Sequence, residues 1–171
     1  INKLEKNKKV KKIIVTTSTT SSAKIFKKQK FKKTFHKFFP LDTNFLTKKF
    51  INIWKPKVAI FVDSEIWPNM IKNLEKNHIP IILLNARFTK SSFKKWLSVK
   101  SFAQEIFGKI SIALPQNTET KKYLKILGTK KINYVGNIKY YGEKILLNRK
   151  NLELNRKFKK FKVWCAGSTH N

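Results

Sequence analysis

The chain has 171 residues and a formal net charge of +30, from 39 basic and nine acidic side chains. That length suffices for one sizeable domain with a proper core, and the lone Cys165 excludes a disulfide framework or a cysteine metal site. The lone cysteine makes the setting read as reducing and hence cytosolic; no apolar run approaches the roughly 20 residues of a membrane span, and no signal peptide is visible.

Short apolar, β-branched runs recur along the chain. "IIVTT" (13–17) leads into the hydroxyl-rich stretch "VTTSTTSSA" (15–23), which suits either a helix cap or the lining of a polar cleft. "VAIFVD" (58–63) precedes a helical stretch, 66–77, that sets Ile66, Met70, Ile71 and Leu74 on one stripe and stops at Asn77. "IPIILLNA" (79–86) precedes a broken helical pair from Thr89 to Gly108. "ISIAL" (110–114) precedes a helix from Thr118 to Leu127, with Tyr123, Leu124 and Leu127 on one side and Gly128 as its C-terminal cap. "INYV" (132–135) reads as a further strand, the lysine-rich segment 143–160 as one or two exposed helices, and "FKVWCAG" (161–167) as a final strand.

These runs are continuous rather than alternating, as expected of strands buried on both faces. Strand and helix in alternation with short connections predict a Rossmann-like α/β domain with a parallel sheet, in which ligands bind beyond the carboxyl ends of the strands. The chain starts at Ile1 rather than Met and stops at Asn171 just past a strand-like run, which is expected of a fragment.

Four stretches carry candidate chemistry. "VDSEIWPN" (62–69) sets Asp63, Ser64 and Glu65 at a strand's carboxyl end. Pro68 suits the first turn of the next helix, which Ser64 or Asp63 could cap. The acids either complement that helix dipole or place Glu65 in an active site, where it stabilises positive charge or orients a hydroxyl. "NARFTKSS" (85–92) holds Arg87, the only arginine in the first 148 residues. Its retention suggests a bidentate contact with an oxyanion or carboxylate, or an ordinary structural salt bridge. "VGNIKYYG" (135–142) allows a tight turn at Gly136 and Asn137, from which Lys139 projects. "CAGSTHN" (165–171) offers Gly167, Ser168, Thr169 and His170 after a strand, where a helix N-terminus normally holds phosphate.

No GxGxxG, P-loop, HExxH or GxSxG is present, and His36, His78 and His170 are scattered, so no metal and no cofactor are expected. The positive charge points to a nucleic-acid or anionic-membrane partner, but only three of the basic residues are arginine. Phosphate- and base-reading surfaces favour arginine, and an abundance of Lys, Asn, Ile and Phe is what an AT-rich coding sequence produces. No specific nucleic acid is therefore expected, whereas attraction to an anionic membrane surface remains.

In order along the chain, "TTSTT", "HKFFPLD" (36–42), "DSEIWPN", "NARFT", "LPQN" (114–117), "LGTKKINYVGNIKY" and "AGSTH" span nearly all of it. This series resembles the 3-deoxy-D-manno-octulosonic acid (Kdo) transferases, whose pattern is roughly TT-x-T, H-x-[FY]-x-P-x-D, E-T-E-[LI]-W-P-N, N-A-R-[LF]-S, A-Q-[NS], Leu-Gly, G-[NS]-[LI]-K-[FY]-D and [AG]-[GT]-S-T-H. The resemblance implies the N-terminal half of a GT-B glycosyltransferase. In that layout 1–142 is the acceptor domain, 143–160 a helical linker, and 161–171 the opening of the nucleotide-sugar domain. It also implies transfer of Kdo from CMP-Kdo to a lipid A precursor at the cytoplasmic face of the bacterial inner membrane.

The family's general base lies in an S-x-G-E motif upstream of the first strand seen here, and this chain lacks it. The second Glu of E-T-E and the Lys of G-N-x-K, taken as transition-state stabilisers, correspond to Glu65 and Lys139. The same resemblance puts Arg87, Asn137, Gly167, Ser168, Thr169 and His170 on the substrate side. Asp63 and Ser64 depart conservatively from the first Glu and the Thr of E-T-E, which makes Asp63 the supporting acid and leaves Trp67 and Pro68 as the rigid start of the helix behind Glu65. Tyr141 stands where the family has Asp, which puts that contact in doubt. Another glycosyltransferase of the same fold is the near alternative, and a basic nucleic-acid-binding module is the alternative from a different class.

Overall fold

The structure, a computed structural model, describes residues 1–138. The chain divides into two compact units, Ile1–Gly136 and Asn137–Asn171, and only Asn137 and Ile138 of the second are among the described residues. The expected helices of 143–160 and the strand "FKVWCAG" lie outside them.

The first unit runs α1 (Asn2–Lys6), β1 (Ile13–Thr17), α2 (Thr20–Lys27), β2 (Thr34–Phe38), α3 (Asn44–Trp54), β3 (Ala59–Val62), α4 (Pro68–Lys76), β4 (Ile81–Ala86), α5 (Lys90–Leu97), α6 (Lys100–Phe107), β5 (Ile112–Pro115) and α7 (Thr118–Ile126). Every strand pairing is parallel: β1 with β2, and β3 with β4 with β5 in that order. The α/β, Rossmann-like parallel architecture expected from the apolar runs is present.

The helices begin where short polar side chains can take up orphan amides. Thr19, Thr43, Thr89 and Asn117 are the N-caps of α2, α3, α5 and α7, each accepting from the N–H three residues on. The hydroxyl-rich turn after β1 thus serves as a cap, through Thr19. α5 and α6 realise the broken helical pair. α6 ends at Gly108, where a Cβ would stand 2.8 Å from the Gln104 carbonyl. Gly128, at φ +102 just past α7, lies tightly against that same Gln104, and its left-handed backbone strains any residue with a Cβ.

The core gathers on the β3–β4–β5 sheet. Ile71 and Leu74 of α4, Leu83 of β4, Ile106 and Phe107 of α6, and Leu124 of α7 are essentially inaccessible to solvent and belong to one cluster. Each such side chain contributes about 1.5–3 kcal/mol by leaving water. The sequence-based stripe of α4 is borne out by Met70, Ile71 and Leu74, with Ile66 packed beside them.

Three expectations need correction. Burial on both faces holds for β4, but every β1 residue is only half-buried, and β3 buries Phe61 while leaving Ile60 and Val62 exposed. Among the described residues β1 and β3 each pair on one side only, and an apolar strand is buried only as far as neighbouring layers cover it. "INYV" forms no strand beyond an isolated bridge of Ile132 to Ala113. Ala113 exchanges bonds with Lys131 and Asn133, but the next inward amide in register belongs to Pro115, which has no N–H to continue the ladder. Conversely, β2, "TFHKF", was hidden by its His and Lys. It is a full parallel partner of β1, and Thr17 Oγ1 and His36 Nε2 are hydrogen-bonded at 2.8 Å across the pair.

Candidate active site

Where β3 and β4 end, two non-glycine residues take left-handed backbone conformations side by side: Asp63 at φ 59 and Asn85 at φ 55. Asp and Asn tolerate this region better than other side chains do. The twist at Asn85 coincides with a register shift in the β4–β5 ladder between Leu84 and Ala86. The two residues lock together. Asn85, fully buried, donates through Nδ2 to Asp63 Oδ1, and the Asp63 N–H donates to Leu84 O at 3.0 Å. A second pair of bonds joins the exits, with Ser64 Oγ donating to Arg87 O and the Arg87 N–H donating to Asp63 O at 3.4 Å. The loops after β3 and β4 therefore form one cross-linked ledge.

Glu65 stands exposed on that ledge, its carboxylate Oε2 accepting from Trp67 Nε1 at 2.7 Å. The Trp67 ring stacks on Phe39, centroids 4.8 Å apart. Pro68 opens α4 as expected, but neither Ser64 nor Asp63 caps it. The cap is Asp42, which reaches in from the loop after β2. Its two carboxylate oxygens accept from the N–H groups of Asn69 at 3.0 Å and Met70 at 2.9 Å, and its carbonyl accepts from Asn69 Nδ2 at 2.5 Å. Ser64 and Asp63 cannot take this part because both are engaged with the β4 exit. Asn73 extends the clasp between α4 and α3, donating to Asn44 Oδ1 at 3.0 Å and Thr47 Oγ1 at 2.8 Å.

Arg87 is exposed at the β4 exit, and the two ion pairs among the described residues, Lys72–Glu105 and Lys109–Glu75, do not include it. The structural salt bridge considered from sequence is thus not formed there; what ties Arg87 to the β3 exit is its backbone, through Ser64 Oγ and Asp63 O. The β5 exit joins the same edge, since the Gln116 N–H donates to Ala86 O at 3.0 Å and Asn117 caps α7. The surface concavities lie instead at the opposite, amino ends of these strands, around Lys57 and Ile79 and around Lys109 and Ser111. The second of them is lined by Glu75, Glu105 and Lys109, with Lys109 and Glu75 paired at 3.1 Å, and neither includes Asp63, Glu65 or Arg87.

Of the residues singled out from sequence, Glu65 lies on the β3 loop and Arg87 on the β4 loop of this ledge. Asn137 opens the second unit, and Lys139, Gly167, Ser168, Thr169 and His170 lie outside the described residues. Among the described residues, no three His, Cys, Asp or Glu side chains gather as a metal-binding group. Sequence reasoning passed over Asp42, Phe39 and Asn85. One signal was available, because Asp42 and Asp63 are the chain's only aspartates and both brace this corner.

The motifs that build the ledge coincide with a family profile described as 3-deoxy-D-manno-octulosonic-acid transferase, which matches residues 1–141. The chain belongs to the Kdo transferase family. Among relatives, it is 36% identical over 158 residues to the 3-deoxy-D-manno-octulosonic acid transferase of Rickettsia typhi, covering 92% of this chain and 34% of that protein. The Haemophilus influenzae enzyme of the same name is 34% identical over 169 residues, 93% of this chain and 38% of the relative. "Probable 3-deoxy-D-manno-octulosonic acid transferase, mitochondrial" of Arabidopsis thaliana is 34% identical over 166 residues, 92% and 37% of the two chains. The chain thus spans about a third of the length of the Kdo transferases it matches.

Proposed function

We propose that this chain is the acceptor-side part of a GT-B glycosyltransferase that moves Kdo from CMP-Kdo to a lipid A precursor at the cytoplasmic face of the bacterial inner membrane. Residues 1–142 form the acceptor domain, 143–160 the linker, and 161–171 the start of the donor domain. The observation that carries the reading is the family match over residues 1–141, which includes the ledge that carries Glu65 and Arg87. Open parallel α/β sheets bind ligands at that edge.

In the reaction the acceptor hydroxyl oxygen attacks the anomeric carbon, its proton passes to a general base, and the bond from that carbon to the CMP phosphate breaks. Positive charge grows on the sugar and negative charge on the departing CMP. The Glu65 carboxylate is assigned to the first charge and the Lys139 ammonium to the second, roles for which fixed charges are effective. Arg87 and Asn137 hold anionic or hydroxyl groups of the substrates, and Gly167, Ser168, Thr169 and His170 lie toward the nucleotide phosphate. No helix among the described residues is long and apolar enough to cross a membrane. The lysine-rich surface supplies attraction to anionic lipid, at about 1 kcal/mol for each lysine near the bilayer.

In the full-length enzyme, Glu65→Gln and Lys139→Ala should each lower kcat roughly 100-fold in a CMP-Kdo-dependent transfer assay. Unchanged rates in both would overturn these roles. A donor screen in which another nucleotide sugar outperforms CMP-Kdo would favour a different glycosyltransferase of the same fold.

A further inference from the structure

An exposed glutamate has three rotatable bonds, so it can meet a transient charge effectively only if something else holds it still. Among the described residues, the Glu65 carboxylate receives one hydrogen bond, from Trp67 Nε1 at 2.7 Å. The indole is itself fixed twice over. Its face lies on Phe39 at 4.8 Å with the rings 29° from parallel. Its backbone is the N-cap of α4, a position at which Trp has no side-chain acceptor for the helix amides. Asp42 supplies that acceptor from elsewhere in the sequence, binding the N–H groups of Asn69 and Met70. Phe39 and Asp42 sit three residues apart on the loop after β2, so one short segment holds both the ring and the helix start.

We propose that Phe39, Asp42 and Trp67 are positioning residues that aim Glu65 at the reacting centre. The loop fixes Trp67 in place and orientation, and the indole N–H fixes the carboxylate. None of the three touches substrate; they act through Glu65, and the inference rests on the catalytic reading of that residue. A purely structural role, with Trp67 merely anchoring α4, would need the ring face but not its N–H.

The test uses the full-length enzyme. Trp67→Phe keeps an aromatic face for Phe39 and deletes the donor. It should lower kcat roughly 10- to 100-fold, as expected when a reacting group loses its alignment, while the KM for CMP-Kdo stays within about twofold. The double variant Glu65→Gln/Trp67→Phe should be no slower than Glu65→Gln alone, because the two changes remove one interaction. Asp42→Asn, which keeps one acceptor oxygen, should retain more activity than Asp42→Ala. With Trp67 retained, the 15N-labelled Trp67 indole resonance should move between the wild type and Glu65→Gln, a readout independent of whether Trp67→Phe folds.

Wild-type kcat in Trp67→Phe with a slow Glu65→Gln enzyme would overturn the positioning role and leave Glu65 catalytic. Multiplicative losses in the double variant, or an indole resonance that does not move, would also overturn it. Wild-type kcat in Glu65→Gln would overturn the catalytic reading together with the inference built on it.

Discussion

β1 and β4 both open on an apolar run, yet the two parallel ladders bury them differently. In β4, "IILLNA", four of the six residues are buried, and helices α4, α6 and α7 contribute to the same core. In β1, "IIVTT", none is fully buried, and the one buried residue of β2 is Thr34. Of the main core cluster, only Ile51 comes from before β3. An apolar strand records only that it can be covered, and its actual burial depends on the layers that pack over it. The half that is covered is also the half that carries the ledge, so the candidate site stands on the better-consolidated part.

The comparison can be broken by paired truncations read through residue-resolved hydrogen exchange. Leu83→Ala, in a strand with no solvent access at that position, should lower the protection of the β4 and β5 amides by about 2–5 kcal/mol. Ile14→Ala, half-buried in β1, should cost roughly 1 kcal/mol and leave β4 protection in place. Equal losses would mean that the two ladders unfold as one unit. Asn85 tests the ledge itself. Asn85→Ala loses the bond to Asp63 and puts a Cβ without a local polar partner at φ 55, for about 2 kcal/mol, whereas Asn85→Gly keeps the backbone conformation and should cost about half of that. The exchange of the β3 and β4 exit amides reports the difference.

Legibility in the sequence followed the same divide. The strands and helices from β3 onward announced themselves through apolar runs and terminal signals such as Pro68, Asn117 and Gly128, because their burial depends on neighbours close in sequence. Of the elements before β3 only β1, "IIVTT", did so; β2 stayed hidden because it mixes His36 and Lys37 into a strand with one buried position. At the candidate site, the position of Glu65 and Arg87 just past strand ends was readable from the apolar runs before them. The cap of α4 was misread because local spacing sees only the nearest residues, whereas Asp42 arrives from 27 residues upstream by way of the β2 loop. Asn85 looked like the end of a strand, and nothing in its neighbours reveals that it turns left-handed to hold Asp63.

The smallest expected effect lies in the less consolidated half. Glu5 of α1 accepts from the Lys33 N–H and from Thr34 Oγ1, both at 2.8 Å, tying the first helix to the start of β2. Partial desolvation pushes its carboxyl upward, but the bonds from the Thr34 hydroxyl and the backbone of Lys33, Thr34 and Lys32 outweigh that and hold it below its ordinary value. A carboxylate whose value is depressed on folding adds stability that is complete above its unfolded value and disappears as the pH falls through the folded one. Amides of β1 and β2 should therefore lose protection on acidification below the ordinary carboxylate range. Glu5→Gln should lower that protection at neutral pH and flatten its acid dependence, while β4 responds to neither change. If the acid response of β1 and β2 survived in Glu5→Gln, this carboxylate would not be what ties the first helix to β2.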